Sequence, residues 1–411
     1  MRFAYQQGNL SCNGTALDDI ATAVGTPCYM YSAAAIVDQF RAYDKAFGNA
    51  PHLVCYAVKA NGNLSILRLL AEAGAGFDIV SGGELYRVLH AGGDASKIAF
   101  SGAGKTLGEM RYALESDIGS VHCESAAEID ALAGVAEQLG RVAHAGLRVN
   151  PGVSATTHPY IATGLRSHKF GVDMGDAQQI FEAASQHRSI KLDTVSFHIG
   201  SQLVDTHPIA EAVRDTLELI WRLRDRGFAI ASLDIGGGVG VPQHVDDRAP
   251  DITEFVQSVC ALTAGHNLRV VVEPGRSIVA EAGLLVTRVL YRKQSGAKHF
   301  IVVDAGMNDL IRPSLYQAHH EVLPLRETAS HVVADLVGPV CETGDFFALD
   351  RPLPNAQPGD FLAIATAGAY GFAQASNYNG RPRPAEVLIA SDGSYRVVRT
   401  RETYADLIHG E

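Results

Sequence analysis

From residue 52 onward the chain alternates two kinds of segment. Short runs rich in β-branched and aromatic residues end in small or polar residues, and each is followed by a stretch whose apolar positions recur every three or four residues. The short runs are 52–60 (HLVCYAVKA), 76–81 (GFDIVS), 97–102 (KIAFSG), 119–124 (GSVHCE), 145–151 (AGLRVNP), 194–200 (TVSFHIG), 232–238 (SLDIGGG) and 268–275 (LRVVVEPG). Between them Leu64, Leu67, Leu70 and Ala71 fall at helical spacing, as do Ala126, Ile129, Leu132 and Ala136, and later Val213, Leu217, Ile220 and Leu223. About eight strand–helix alternations in about 225 residues predict a closed (β/α)8 barrel of the TIM type rather than an open doubly wound sheet. A helical pattern over 32–47 precedes the first strand and suits the place of the last barrel helix.

After residue 280 the rhythm changes. GLLVTRVLYRK, KHFIVVDAG, VVADLVGPV, DFLAIATAG, AEVLIAS and SYRVVRT are strand-like runs with turn signals and almost no helix between them. The predicted order is an N-terminal segment (1–30) packing on the β-domain, a barrel (31–280), and a C-terminal β-sandwich-like domain (281–411).

Composition narrows the function. The 34 Lys and Arg residues stand against 45 Asp and Glu, a formal net charge of −11, which argues against a nucleic-acid partner because phosphate neutralisation needs a basic surface. With 47% apolar and only 19% charged residues the chain has the makeup of a compact globular protein with much buried surface rather than a disordered segment. The six cysteines (Cys12, Cys28, Cys55, Cys123, Cys260 and Cys341) form no CxxC pair or close Cys/His cluster, so neither a metal site nor a disulfide framework is predicted. A reducing cytoplasm suits them. No secretory leader and no long apolar span is read in the chain, so no membrane partner is expected.

In a barrel of this type the active site lies at the C-terminal ends of the strands. There the first run carries Lys59, the sixth His198, Gly200 and Ser201, the seventh Gly236, Gly237 and Gly238, and the eighth Glu273, Pro274, Gly275 and Arg276. A lysine in a barrel mouth is expected to be desolvated towards a nucleophilic amine. Alone, Lys59 reads as a snorkelling surface lysine, His198 as a core histidine and the glycine run as a tight turn. Together, a nucleophilic lysine, a flat ring, a glycine cradle for an anion and a carboxylate point to pyridoxal 5'-phosphate, with the carboxylate keeping the ring nitrogen protonated.

The motifs YAVKAN (56–61), FDIVSGGEL (77–85), THPYIATGLRSHKFGV (157–172), HIGSQL (198–203), EPGRSIVAEAG (273–283), DAGMNDLIRPSLYQAHHE (304–321), GPVCETGD (338–345) and GAYGFAQASNYNGRPRPAEVLI (368–389) resemble the diaminopimelate decarboxylases, within the alanine-racemase-like, fold type III group of pyridoxal phosphate enzymes. The likeness runs from about residue 25 to the tail RETYADL (401–407). Gln374 stands where the family usually has Met, and a Tyr often found after the glycine run is missing from VGVPQHVDD. The resemblance implies decarboxylation of meso-2,6-diaminopimelate at its D-centre to L-lysine, the last step of lysine biosynthesis by that route, in a homodimer with shared active sites.

Carried over residue by residue, it implies that Lys59 holds the cofactor, Asp78 and Arg148 help position the ring, and His198 stacks on it. Ser201, Gly238, Gly275 and the backbone of Arg276 would hold the phosphate, and Glu273 would meet the ring nitrogen. Arg276, Arg312 and Tyr316 would bind substrate carboxylate, Cys341 would donate a proton, Glu342 would meet the distal ammonium, and Tyr370 would touch cofactor and substrate. Taken singly, Cys341 reads as a buried thiol, Arg312 as a surface cation and Tyr370 as a core aromatic. The rival readings are a decarboxylase of another basic or carrier-bound amino acid, a racemase, and a catalytically silent partner-binding homologue.

Overall fold

The structure, a computed structural model, describes residues 3–153, 169–244 and 247–411. Most of the THPYIATGLRSHKFGV motif, residues 157–168, lies outside the described residues, as do 245 and 246 after the glycine run.

The chain divides into two units, one of Gln39–Val241 and Arg248–Ser277, the other of Met1–Asp38, Pro242–Asp247 and Ile278–Glu411. Eight parallel strands of the first form a ring: β1 (His52–Ala57), β2 (Gly76–Ile79), β3 (Ile98–Phe100), β4 (Ser120–Cys123), β5 (Ala143–Asn150), β6 (Ile190–Ser196), β7 (Ser232–Asp234) and β8 (Arg269–Val272). Each pairs with the next in the chain, and β8 pairs with β1 through Val270–His52, Val271–Leu53 and Val272–Val54, so the sheet closes on itself. The closed (β/α)8 barrel is therefore as the pattern predicts. Its strands are short and buried almost throughout, as in Gly76–Ile79 and Ile98–Phe100, which is why they read as continuous apolar runs rather than alternating ones.

Helix starts are written into the turns that follow the strands. Asn63, Ser81, Thr106, Ser125 and Asp251 each accept a backbone N–H of the helix they precede, and Thr106 with Glu109 forms a reciprocal capping box. Each cap contributes about 1 kcal/mol and fixes where the chain leaves the barrel mouth.

The strands stop earlier than the sequence pattern suggests. β1 ends at Ala57, and Lys59 sits in a 3₁₀ turn, Val58–Ala60; β6 ends at Ser196, before His198; β7 ends at Asp234, before the glycines. Gly236 (φ +65°) and Gly238 (φ +112°) take the chain out of extended conformation. A Cβ at Gly237 would lie 2.3 Å from the Glu273 carbonyl oxygen, so only glycine lets the turns after β7 and β8 approach this closely.

The second unit is mainly sheet. Gly283–Ser295, Lys298–Val303, His331–Val337, Phe361–Ile364, Ala385–Ile389 and Tyr395–Arg399 correspond to the six expected runs. Other strands of this unit lie outside those runs, among them the short Phe3–Gln6, Asn9–Cys12 and Val322–Pro324 and two longer ones. Cys28–Ser32, fully buried and without alternation, pairs antiparallel with Gly283–Val286 and parallel with Ala385–Ile389, so a strand from near the N-terminus lies inside this sheet. Phe346–Pro354, which carries two prolines and is not among the expected runs, is an edge strand, where proline is tolerated. Leu17, Ile20, Met30, Leu284, Val286, Val387 and Ile389 share one apolar core in this unit.

Candidate active site

A cavity of about 390 Å³ opens among the barrel residues, lined by Lys59, Ser101, His122, Arg148, Phe170, His198, Asp234 and Glu273, among others. Lys59 reaches it from the turn after β1, and its Nζ donates to Asp78 Oδ2 at 2.7 Å. Asp78 ends the register of β2 opposite Ala57 and is fully buried. The desolvation expected around Lys59 is not what the structure shows: the side chain is 40% exposed and held by an ion pair.

His198 follows β6. Its Nδ1 accepts the Gly237 N–H at 3.2 Å, which leaves Nε2 as the protonated nitrogen of a neutral ring. Burial, reinforced by the charges of Arg148 and Lys59, pushes its pKa well below the ordinary histidine value. A neutral flat ring wedged in this way is what a stacking partner for a heteroaromatic ligand requires. Gly236 donates its N–H to Asp234 Oδ1 at 2.8 Å. Arg276 Nη2 donates to Ser201 Oγ at 3.2 Å, so the turns after β8 and β6 meet.

Glu273 accepts from Ser101 Oγ at 3.2 Å. Burial, and then the nearby carboxylates of Asp234 and Asp78, push its pKa well above the ordinary value; Asp234, likewise buried, is pushed up to about 7. A pair of carboxyls this reluctant to ionise is a site waiting for a cationic donor. Arg148 Nη1 donates to Glu124 Oε1 at 2.9 Å, and its guanidinium lies 4.8 Å from the centre of the Phe170 ring.

Arg312, Tyr316, Cys341, Glu342 and Tyr370 lie in the second unit. Arg312 is buried rather than a surface cation, with its guanidinium 5.5 Å from the Tyr316 ring and 5.9 Å from the Tyr370 ring. Gln374 Nε2 donates to Tyr316 Oη at 3.4 Å, so the residue that departs from the family pattern touches this cluster. Tyr370 takes a left-handed backbone conformation (φ +57°). Cys341 is exposed, contrary to its reading as a buried thiol, and its N–H donates to Asn379 Oδ1 at 2.9 Å. Glu342 accepts from Tyr378 Oη at 2.8 Å. Asp345 shapes their loop by accepting the amides of Met307 and Val340, each at 2.6 Å.

Residues 33–280 match the family described as pyridoxal-dependent decarboxylase, pyridoxal binding domain. Diaminopimelate decarboxylase from Pseudomonas aeruginosa is 49% identical over 410 residues, covering 100% of this chain and 98% of that protein; the Aquifex aeolicus protein of that name is 47% identical, covering 97% and 95%. This chain belongs to the diaminopimelate decarboxylases. Among solved structures of the family, the Helicobacter pylori enzyme complexed with L-lysine superposes with a TM-score of 0.92 at 41% identity, covering 96% of this chain and 98% of that one. The diaminopimelate decarboxylase from M. jannaschii in co-complex with L-lysine gives 0.94 at 35%, covering 99% and 96%.

Pyridoxal phosphate is the cofactor of this family, and the barrel cavity fits it on its own chemistry. Among the described residues no Lys or Arg is paired with Glu273 or Asp234, and His198 presents a neutral ring. The glycine turns cannot take a Cβ: one at Gly238 would lie 2.5 Å from the Gly200 carbonyl oxygen. Sequence reasoning missed Ser101, His122 and Asp234. The signal was there, since SVHC and SLD set a histidine and an aspartate beside buried apolar residues of barrel strands.

Proposed function

We propose that this diaminopimelate decarboxylase acts on meso-2,6-diaminopimelate at its D-centre, releasing carbon dioxide and L-lysine, with the residues above in the roles that follow. The observation that carries the reading is that Lys59, His198 and Glu273 line one cavity at the C-terminal ends of the barrel strands. That two relatives have structures with L-lysine bound supports the product.

Pyridoxal phosphate supplies an electron sink conjugated to the substrate's α-carbon. Lys59 would hold it, oriented by Asp78; Ser201, Gly238, Gly275 and the Arg276 backbone would take the phosphate; Glu273 would fix the proton on the ring nitrogen; Arg148 would brace the ring side. Arg276, Arg312 and Tyr316 would grip substrate carboxylate, Tyr370 would contact substrate and cofactor, and Glu342 would meet the distal ammonium. A planar guanidinium discriminates by its fork: an amino acid lacking the distal carboxylate leaves Arg312, buried as it is, without its anion. The Cys341 thiol would return a proton to the carbon that lost carbon dioxide.

The assembly belongs to the same proposal: a two-fold homodimer in which Cys341 and Glu342 complete the barrel site of the other copy. The exposure of both residues in the single chain supports it. Six scattered cysteines with no CxxC pair suit a cytoplasmic enzyme. Turnover of meso-diaminopimelate beside lysine and ornithine tests the reading. Lysine should form in step with carbon dioxide, and comparable decarboxylation of lysine or ornithine would overturn it.

A further inference from the structure

Asp234, the last residue of β7, lines the cofactor cavity, yet none of the roles above uses it. Its side chain is 1% exposed. Oδ1 accepts the Gly236 N–H, the carboxyl shares a hydrogen bond with that of Glu273, and Oδ2 is sealed from solvent with no N–H or hydroxyl donor reaching it among the described residues. Its neighbours are the nearby Glu273 carboxyl and His122 Nδ1 at 3.6 Å, the three groups presenting atoms within 4.8 Å of one another.

His122 cannot serve as the missing cation. Burial, with the charges of Lys105 and Arg148, pushes its pKa down to about 3, and its Nε2 lies 3.1 Å from Ser120 Oγ. Lys105 itself is occupied, donating to the carbonyl oxygens of Gly102 and His122 at 2.6 Å each and to Glu128 at 3.1 Å. An anionic oxygen buried without a donor is costly, and two adjacent carboxyls in such a place share a proton.

We propose that Asp234 is a positioning residue for Glu273: when a cation sits at Glu273, Asp234 holds the proton the pair shares and donates it to Glu273 as a hydrogen bond. The proton passes from the Glu273 carboxyl to the Asp234 carboxylate, so the pair keeps the same charge and nothing is taken from solvent. Glu273, already accepting from Ser101, then receives a second protein donor that fixes its plane, and remains anionic towards the cofactor's ring nitrogen. This rests on the reading of Glu273 as the partner of that nitrogen.

The test uses the holoenzyme loaded with pyridoxal phosphate carrying ¹⁵N in the ring, with Asp234→Asn, Asp234→Val and Glu273→Gln. The ring ¹⁵N resonance reports protonation directly, and kcat and KM for diaminopimelate are read in parallel. The amide of Asp234→Asn keeps a neutral donor, so the ring should stay protonated and kcat should fall by no more than about ten-fold. Asp234→Val removes the donor; the protonated fraction should fall and kcat should drop by about a hundred-fold at nearly constant KM.

If Asp234→Asn shifts the ring resonance and kcat as severely as Glu273→Gln, Asp234 acts as an anion and the inference is wrong; that comparison decides the matter even if the valine variant fails to fold. A folded Asp234→Val enzyme with a protonated ring and wild-type kcat would equally overturn it. A ring resonance unmoved in Glu273→Gln would instead refute the reading of Glu273, whatever Asp234 does.

Discussion

Replacing Arg312 by alanine separates substrate recognition from cofactor binding. Arg312 is only 7% exposed, and its guanidinium packs against the rings of Tyr316 and Tyr370. Each cation–π contact contributes about 0.5–1 kcal/mol, so their loss should cost the second unit about 1–2 kcal/mol of stability. The larger effect falls on substrate. A bidentate guanidinium–carboxylate contact comprises two charge-assisted hydrogen bonds, each worth about 1.5–3 kcal/mol; allowing for non-additivity, about 3–4 kcal/mol should be lost. At about 1.4 kcal/mol per decade this is roughly a hundred- to a thousand-fold in kcat/KM for diaminopimelate. Cofactor affinity should fall far less, because Lys59, His198 and Glu273 line the cavity assigned to it and Arg312 does not. Arg312→Lys should recover only part of the loss, since a point charge lacks the fork. The assay is steady-state decarboxylation of diaminopimelate beside lysine, with cofactor affinity by absorbance titration and thermal unfolding as controls. An Arg312→Ala enzyme that keeps its preference for diaminopimelate over lysine would show that the distal carboxylate is read elsewhere.

Borohydride reduction of the yellow holoenzyme should fix the cofactor on the peptide containing Lys59; a label on any other lysine, or none, removes the cofactor assignment. Mixing Lys59→Ala with Cys341→Ala under subunit exchange should restore about a quarter of wild-type activity, because half the dimers are mixed and one of their two sites carries neither lesion. With both residues drawn from one chain, no activity returns once exchange is verified. His122 should mark acid stability. Its folded pKa, lowered to about 3, means the unfolded chain binds the extra proton below the ordinary histidine value of about 6.5. The stability of wild type relative to His122→Gln should therefore fall as pH drops from about 6.5 towards 3 and be level above that window, and a difference independent of pH in urea titrations would contradict the assignment.

What the sequence discloses about this site depends on where a polar residue stands relative to an apolar run. Lys59, His198 and Glu273 follow such runs, so barrel logic picks them out before any contact is known. Asp234 and His122 stand inside β7 and β4, where a strand pattern counts apolar positions and passes over the exception. Ser101 is less legible still: its link to Glu273 spans 172 residues and exists only because the closed sheet brings the turns after β3 and β8 around one cavity. The strand Cys28–Ser32 was hidden for a related reason, since burial on both faces erases the alternation that marks an element. Phe346–Pro354 was hidden by prolines that only an edge position permits. Local pattern thus places the groups that face a ligand. The groups that tune them are paired across the barrel, and a buried carboxyl such as Asp234 gives its role away only when the neighbours able to accept its proton are known.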